Sequence, residues 1–236
     1  MDKLEMIINE RPAFHRGETE IDRPFALGES LLSSKTAEKL AANELTCYGI
    51  GKDVLSFIAD NIQSGSKTLE TGAGCSTLIF ALLGSDHIAV TPSHSEIELI
   101  TQYAISHEIS METINFVQQP SEQFLPRLEA EELDLVLLDG KHAFPWPIID
   151  WFFTADKLKQ GGLMIIDDAE MKSVSILVDF MKVDSGWQMV NDFAGKTIVF
   201  KKMKASVHDV AWHMQRYTMK SPFERITSRL KQIVIR

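Results

Sequence analysis

The sequence predicts an α/β protein with a doubly wound, mostly parallel, seven-stranded sheet. Between residues 65 and 168, short apolar runs alternate five times with segments of helical character. Such alternation requires crossover connections, which place helices on both faces of a parallel sheet. The apolar runs 187–192 and 197–202 are separated by only four residues. So short a connection forces an antiparallel hairpin, which closes the sheet at one edge.

The first strand and helix are predicted within residues 67–84, KTLETGAGCSTLIFALLG. The strand ends at Glu70, and an apolar helix follows over 77–83. Gly72 and Gly74 between them allow a sharp turn, because glycine adopts backbone conformations that other residues avoid. A ligand can therefore approach the backbone of this loop closely.

The later elements follow in the same order along the chain. Strands are predicted at 87–91, 113–117, 133–139 and 162–168, with helices at 96–107, 121–130, 148–158 and 171–181. Parallel strands end at a common edge, where doubly wound sheets bind their ligands. We therefore expect the site among the polar residues that end these strands, including Thr91, Asp139 and Asp167.

Three parts are predicted within the 236 residues. An N-terminal arm with covering helices takes residues 1–64, the core takes 65–203, and basic C-terminal helices take 204–236. The arm is expected to be largely irregular over residues 1–35. Two terminal helices are expected over 206–217 and 222–235.

Composition narrows the class of protein. The chain is 44% hydrophobic, with no apolar run of about 18 residues and no apolar signal sequence, which predicts a soluble cytoplasmic protein without a membrane partner. The spacing of the two cysteines suggests neither a metal site nor a disulfide framework.

Charge is distributed unevenly along the chain. Residues 201–236 hold nine basic and two acidic residues, so the remainder carries a net charge of −16. This negative charge opposes binding to a phosphate backbone and predicts no nucleic-acid partner. The arm and the basic helices favour a homodimer.

Two motifs carry a resemblance to a known family. The string E-x-G-x-G-x-S-T at 70–77 resembles the first motif of class I methyltransferases that use S-adenosylmethionine (SAM). The string D-G-x-H at 139–142, followed by paired acids at 167–168, resembles the subfamily that contains small-molecule and sugar O-methyltransferases. The resemblance covers roughly residues 65–200. It implies a Rossmann-like methyltransferase fold and SAM as the cofactor.

The resemblance also implies which residues bind the cofactor. Relatives usually have an acidic residue after the second strand to hold the ribose hydroxyls of SAM, whereas this chain has only Thr91 or Ser93 there. Ser121 matches the small polar residue that borders the adenine, although it could equally cap a helix. The predicted cofactor-binding residues are Glu70, Gly72, Ala73, Gly74, Ser76, Thr77, Thr91, Ser121 and Asp139.

Three carboxylates form a predicted metal site, namely Asp139, Asp167 and Asp168. Carboxylate oxygens are suitable ligands for Mg²⁺, which lowers the pKa of a bound hydroxyl. Alternatively, Asp139 contacts the methionine part of SAM and the paired acids cap the next helix.

His142, Lys141 and Asp139 are the predicted catalytic residues. An imidazole has an ordinary pKa of about 6.5, so His142 can act as a general base, although it could instead only fix the loop. Lys141 stands where some relatives carry an acid, and it could lower the pKa of a substrate hydroxyl or bind an anion.

These residues predict a SAM-dependent methyltransferase that acts on a hydroxyl of a small molecule. A second hypothesis is a SAM-fold module that binds without turnover, since the ribose acid is missing and Lys141 replaces an acid. A third, a nicotinamide-dependent oxidoreductase, is disfavoured by Thr77, which stands at the third glycine of the dinucleotide fingerprint.

Overall fold

The computed structural model describes residues 2–16, 45–46, 49–130 and 132–218. Two short strands, β1 (His15–Arg16) and β2 (Leu45–Thr46), form an antiparallel pair near the N-terminus. The seven strands of the main sheet follow in chain order as β3 (Lys67–Thr71), β4 (Asp86–Val90), β5 (Ile114–Val117), β6 (Leu133–Leu138), β7 (Leu158–Ile166), β8 (Trp187–Phe193) and β9 (Thr197–Lys202).

The strand order confirms the predicted fold class. Across the sheet the order is β5-β4-β3-β6-β7-β9-β8. Strands β3 to β7 are mutually parallel. Strand β9 runs antiparallel to both β7 and β8. The chain reverses its direction of winding between β3 and β6, so these two strands flank the crevice where ligands bind in such sheets.

Helices cover both faces of the sheet. They are α1 (Lys3–Glu10), α2 (Lys52–Asn61), α3 (Cys75–Leu83), α4 (His94–Ser106), α5 (Ser121–Phe124), α6 (Trp146–Ala155) and α7 (Lys172–Val183). The helix predicted over 121–130 is shorter than expected, because it passes at once into a 3-10 turn, Leu125–Arg127. Pro126 within that turn has no amide hydrogen to continue an α-helix.

Alternate strand residues point into two separate hydrophobic cores. One core lies between the sheet and helices α6 and α7, and it includes Leu69, Val136 and Phe200. The other lies against α1 to α4 and includes Leu137, Ile165 and Val199. Because both faces of the central strands are covered, their residues form nearly continuous apolar runs.

The expectation that residues 1–35 are largely irregular is wrong for the first turns of the chain. Helix α1 is capped by Asp2, whose carboxylate accepts a hydrogen bond from the amide of Leu4. Ile7 on this helix is completely buried against the core. Tertiary packing therefore stabilises a helix that its own sequence marks only weakly. Residues 17–44 of the arm lie outside the described part of the chain.

The helix predicted over 206–217 is also wrong. This segment contains only two 3-10 turns, Trp212–Met214 and Arg216–Thr218. Its start is tied to the core by Asp156, whose carboxylate accepts hydrogen bonds from the Ser206 hydroxyl and the Val207 amide. The second predicted helix, 222–235, lies outside the described residues. Among the described residues, no helix is long and apolar enough to cross a membrane.

Candidate active site

The loop after β3 approaches the end of β6 very closely. Gly72 has a φ of +93°, and a Cβ at this position would lie 2.4 Å from the backbone oxygen of Asp139. Only glycine fits there without moving the backbone. A Cβ at Gly74, in contrast, would meet no atom within 4 Å. The loop therefore packs on β6 through Gly72 and leaves open space beside Gly74.

Glu70 lies beneath this loop and is only 1% exposed. Its carboxylate accepts a hydrogen bond of 2.6 Å from the Ser76 hydroxyl and another from the Thr77 hydroxyl. The Nε2 atom of the buried His87 lies 3.2 Å from the same carboxylate. These predicted cofactor residues thus contact one another, and their hydrogen bonds fix the loop at the start of α3.

An acidic residue does lie beyond the end of β4, although it is not the next residue in sequence. Glu96 in the first turn of α4 accepts a hydrogen bond of 2.9 Å from the Thr91 hydroxyl. Its other carboxylate oxygen lies 2.9 Å from Nδ1 of His15, which belongs to the N-terminal arm. Ser93 accepts a hydrogen bond from the Glu96 amide and so fixes the start of the helix. Sequence reasoning missed Glu96, although Ser93-x-x-Glu96 is a recognisable helix-capping pattern.

Three predicted residues meet at the carboxyl ends of β6 and β7. Nε2 of His142 lies 3.0 Å from Asp168 and 3.8 Å from Asp139. One nitrogen and two oxygens of these residues all lie within 4.8 Å of one another, which is close enough to surround a cation. All three side chains are partly exposed, so a ligand can reach them.

Asp167 is engaged differently from its neighbour Asp168. It is 1% exposed, and its two carboxylate oxygens accept hydrogen bonds from Thr197 and from Nζ of Lys196 at 2.8 Å. Lys196 also lies 3.0 Å from Asp168. Both oxygens of Asp167 thus have partners within the protein, whereas its predicted role as a metal ligand needs one of them.

Burial and neighbouring charges shift the pKa of two of these groups, Asp139 and Lys196. Burial and the carboxylates of Asp167 and Asp168 raise the pKa of Asp139 well above its ordinary value. Burial lowers the pKa of Lys196, but the same two carboxylates outweigh that effect and raise it overall. A pKa displaced by several neighbouring charges is typical of functional sites, although structural ion pairs cause it too.

Within the described part of the chain, Lys141 forms no ion pair with Asp139, Asp167 or Asp168. Its side chain is exposed, and its Nζ lies 3.8 Å from the centre of the Trp146 ring. A cation at this distance is attracted by the face of the indole. Phe144 beside it is 62% exposed. This aromatic and basic rim borders the cleft on the side of His142.

Ser121 and Asp150 lie close to Thr71, the last residue of β3. Ser121 is 9% exposed at the start of α5, and Asp150 on α6 is 2% exposed. Burial raises the pKa of Asp150 to about 6, although the hydroxyls of Ser121 and Thr71 act in the opposite direction. Sequence reasoning missed this acid, because nothing in the pattern of α6 shows that it faces inward.

Comparison with known proteins identifies the class. Residues 69–169 match a family model described as a methyltransferase domain. The match spans the strands that carry both motifs, and it confirms the predicted class of enzyme, a SAM-dependent methyltransferase. Comparison with curated protein sequences finds no match.

Solved structures share this fold at low sequence identity. A candidate caffeoyl-CoA O-methyltransferase from Staphylococcus aureus is 15% identical, with a TM-score of 0.57 over 75% of this chain and 95% of its own. SMU.1697c, a candidate methyltransferase from Streptococcus mutans in complex with S-adenosylhomocysteine (SAH), is 10% identical, with a TM-score of 0.50 over 63% of this chain and 94% of its own. A candidate rRNA methylase from Clostridium thermocellum is 13% identical, with a TM-score of 0.53 over 64% and 94%. These likenesses establish the fold.

The prediction that nucleic acid is not a partner is wrong, because a candidate rRNA methylase is among the structures that share the fold. That prediction relied on the net charge of the body. Net charge does not describe the local potential at the mouth of a cleft, which governs the approach of a ligand. The predicted homodimer stays a prediction.

Proposed function

We propose that this methyltransferase transfers the methyl group of SAM to a hydroxyl of a small molecule and that His142 removes the hydroxyl proton. SAM supplies an electrophilic methyl group, so the protein must bind it, align the acceptor oxygen and take up the proton. The observation that carries the proposal is the position of His142, whose Nε2 lies between Asp139 and Asp168 at the ligand edge of the sheet. Asp168 at 3.0 Å orients the ring.

The shape of the first loop supports SAM as the methyl donor. Open space beside Gly74 leaves room for a ligand against the backbone, and the start of α3 follows immediately. Glu96 and Thr91 supply a carboxylate and a hydroxyl beyond β4, where the resemblance implies an acid for the ribose hydroxyls. We assign that contact to Glu96. His15 contacts the second carboxylate oxygen of Glu96, so the N-terminal arm borders the same part of the cleft.

Asp139 and Asp168 are suitable ligands for a divalent cation. Each offers a carboxylate oxygen, and Mg²⁺ commonly binds to one or two carboxylates while keeping several waters. A bound cation would lower the pKa of the acceptor hydroxyl and so assist His142. In this arrangement Asp167 remains paired with Lys196 and Thr197, and it acts by orienting the loop.

A cation titration separates the base from a ligand. His142→Ala is expected to retain Mg²⁺ binding while losing methyl transfer by about 10²- to 10⁴-fold, the usual contribution of a general base. Asp168→Asn is expected to lose Mg²⁺ binding. If His142→Ala abolishes the cation site instead, His142 is a ligand and the proposed role as base fails.

An acceptor screen tests the reaction itself. Purified protein is incubated with methyl-labelled SAM and a panel of hydroxylated metabolites, with total RNA as a separate arm because the fold is shared with a candidate rRNA methylase. Label transferred to a small-molecule oxygen supports the proposal. Label transferred to RNA alone would refute the substrate class, and SAM binding without transfer to any acceptor would favour a module that binds without turnover.

A further inference from the structure

Lys196 places a positive charge within the carboxylate cluster. Its Nζ atom lies 2.8 Å from Oδ2 of Asp167 and 3.0 Å from Oδ1 of Asp168. The same charge acts on Asp139: burial and the other two carboxylates raise the pKa of this acid, and Lys196 acts in the opposite direction. The ammonium group therefore balances part of the negative charge of all three acids.

The carboxylate of Asp168 is shared between two partners. Oδ1 faces Lys196, whereas Oδ2 lies 3.0 Å from Nε2 of His142. The group of side chains that could surround a cation also depends on an oxygen of Asp168. A divalent cation and the ammonium group of Lys196 would thus contact the same carboxylate. Two positive charges only a few ångströms apart repel each other.

The backbone of Lys196 is fixed, whereas its side chain has room to move. The Lys196 carbonyl oxygen accepts a hydrogen bond of 2.7 Å from the amide of Ala169. The Lys196 amide donates one of 3.1 Å to the carbonyl of Phe193, which closes the turn between β8 and β9. The side chain is 39% exposed. Because a lysine ammonium group is carried on a flexible stem, it can move away from Asp168 without disturbing the hairpin.

We propose that Lys196 is the resident cation of this cluster and competes with a divalent cation for Asp168. In the absence of a divalent cation, the ammonium group of Lys196 bridges the paired acids. When Asp168 binds a divalent cation, the ammonium group loses its contact with Asp168 and keeps the one with Asp167. Each cation therefore weakens the binding of the other, as thermodynamic linkage requires. This inference rests on the cation role of Asp168 in the proposed function, but it does not depend on methyl transfer.

Calorimetric titration of the full chain with Mn²⁺ is the first test. Mn²⁺ is a suitable probe because it takes the same oxygen ligands as Mg²⁺. Lys196→Met is expected to bind Mn²⁺ roughly tenfold more tightly than the wild type, because repulsion between a single and a double charge reaches this size even in water. Lys196→Arg keeps the positive charge and is expected to bind Mn²⁺ no more tightly than the wild type.

Two control variants separate competition from other effects of the substitution. Lys182→Met removes the same charge from the last turn of α7, and it should leave the affinity for Mn²⁺ close to that of the wild type. Thr197→Val removes the other hydrogen-bond partner of Asp167 without changing the charge, and it should not raise the affinity. Equal affinity in Lys196→Met and the wild type, or no binding by either, would overturn the proposal. An equal gain in Thr197→Val would overturn it too, because loosening of the hairpin would then explain the result.

A crystal structure of the wild-type full chain tests the displacement directly and does not require a variant to fold. The crystal is soaked in Mn²⁺ well above the dissociation constant that calorimetry gives. We expect anomalous density beside Asp168, with Lys196 beyond hydrogen-bond distance of that carboxylate. Mn²⁺ at Asp168 with Lys196 still in contact, or no Mn²⁺ at Asp168, would contradict the competition. Neither experiment uses SAM or an acceptor, so failure of this proposal is distinguishable from failure of methyl transfer.

Discussion

The pH dependence of stability provides a quantitative test of the interior around Asp150. Burial raises the pKa of this carboxyl from 3.8 to about 6. The folded protein therefore holds the proton more tightly than the unfolded chain. The stability that Asp150 contributes is fully present below pH 3.8 and is lost as the pH rises through about 6. At about 1.36 kcal/mol for each pKa unit, the loss amounts to about 3 kcal/mol.

Asp150→Asn removes the ionisation but retains a side-chain oxygen at this buried position. Relative to the wild type, the variant should therefore gain about 3 kcal/mol in free energy of unfolding as the pH rises from below 4 to above 6. About 2 kcal/mol of this gain should fall between pH 4.5 and pH 8. The gain is relative, because other carboxylates titrate equally in both proteins.

The assay is urea unfolding followed by circular dichroism at several pH values, with Asp179→Asn as an exposed control. The control removes an exposed carboxylate, so it corrects for the general effect of replacing an Asp by an Asn. A difference between Asp150→Asn and wild type that is independent of pH would refute the reasoning. A difference that falls with rising pH would mean that the buried carboxyl is stabilised in its charged form.

Three further predictions follow from the site. Gly72→Ala should lower the free energy of unfolding by at least about 1–2 kcal/mol, because Gly72 has a positive φ and packs on the end of β6. Gly74→Ala should leave urea unfolding unchanged and weaken SAH binding, because the added methyl group enters the open space beside the loop. Glu96→Gln should weaken SAH binding by about tenfold in calorimetry, the value for a hydrogen bond to a charged group, whereas Glu98→Gln, exposed on the same helix, should not. Lys196→Met leaves the carboxylates of Asp167 and Asp168 without their lysine partner. Thermal unfolding should show a free energy of unfolding that is lower by about 2–3 kcal/mol. The loss is smaller than for a fully buried pair, because the lysine is 39% exposed.

The fold was predictable because its central strands are buried on both faces. Continuous apolar runs such as 133–138 distinguish such strands from the amphipathic helices between them. The short turn before Thr197 also defined the antiparallel edge. Helix α1 was not predictable in the same way, because its eight residues gain stability only when Ile7 packs against the core.

The site was predictable where its residues are close in sequence to strand ends. Asp139, His142 and Asp168 directly follow β6 and β7, and the structure brings them together. Lys196 and Glu96 come from a hairpin turn and a helix, so their approach depends on the tertiary structure. Asp150 was not recognisable, because an acid on a helix usually faces solvent.

The central claim is that the cleft beside Gly74 binds SAM and serves methyl transfer. Calorimetric titration of the folded full chain with SAH tests this claim most directly. The account predicts saturable one-to-one binding that weakens in Glu96→Gln and persists in Glu98→Gln. Folded protein that binds no SAH, or that binds NADH in preference to it, would contradict the account.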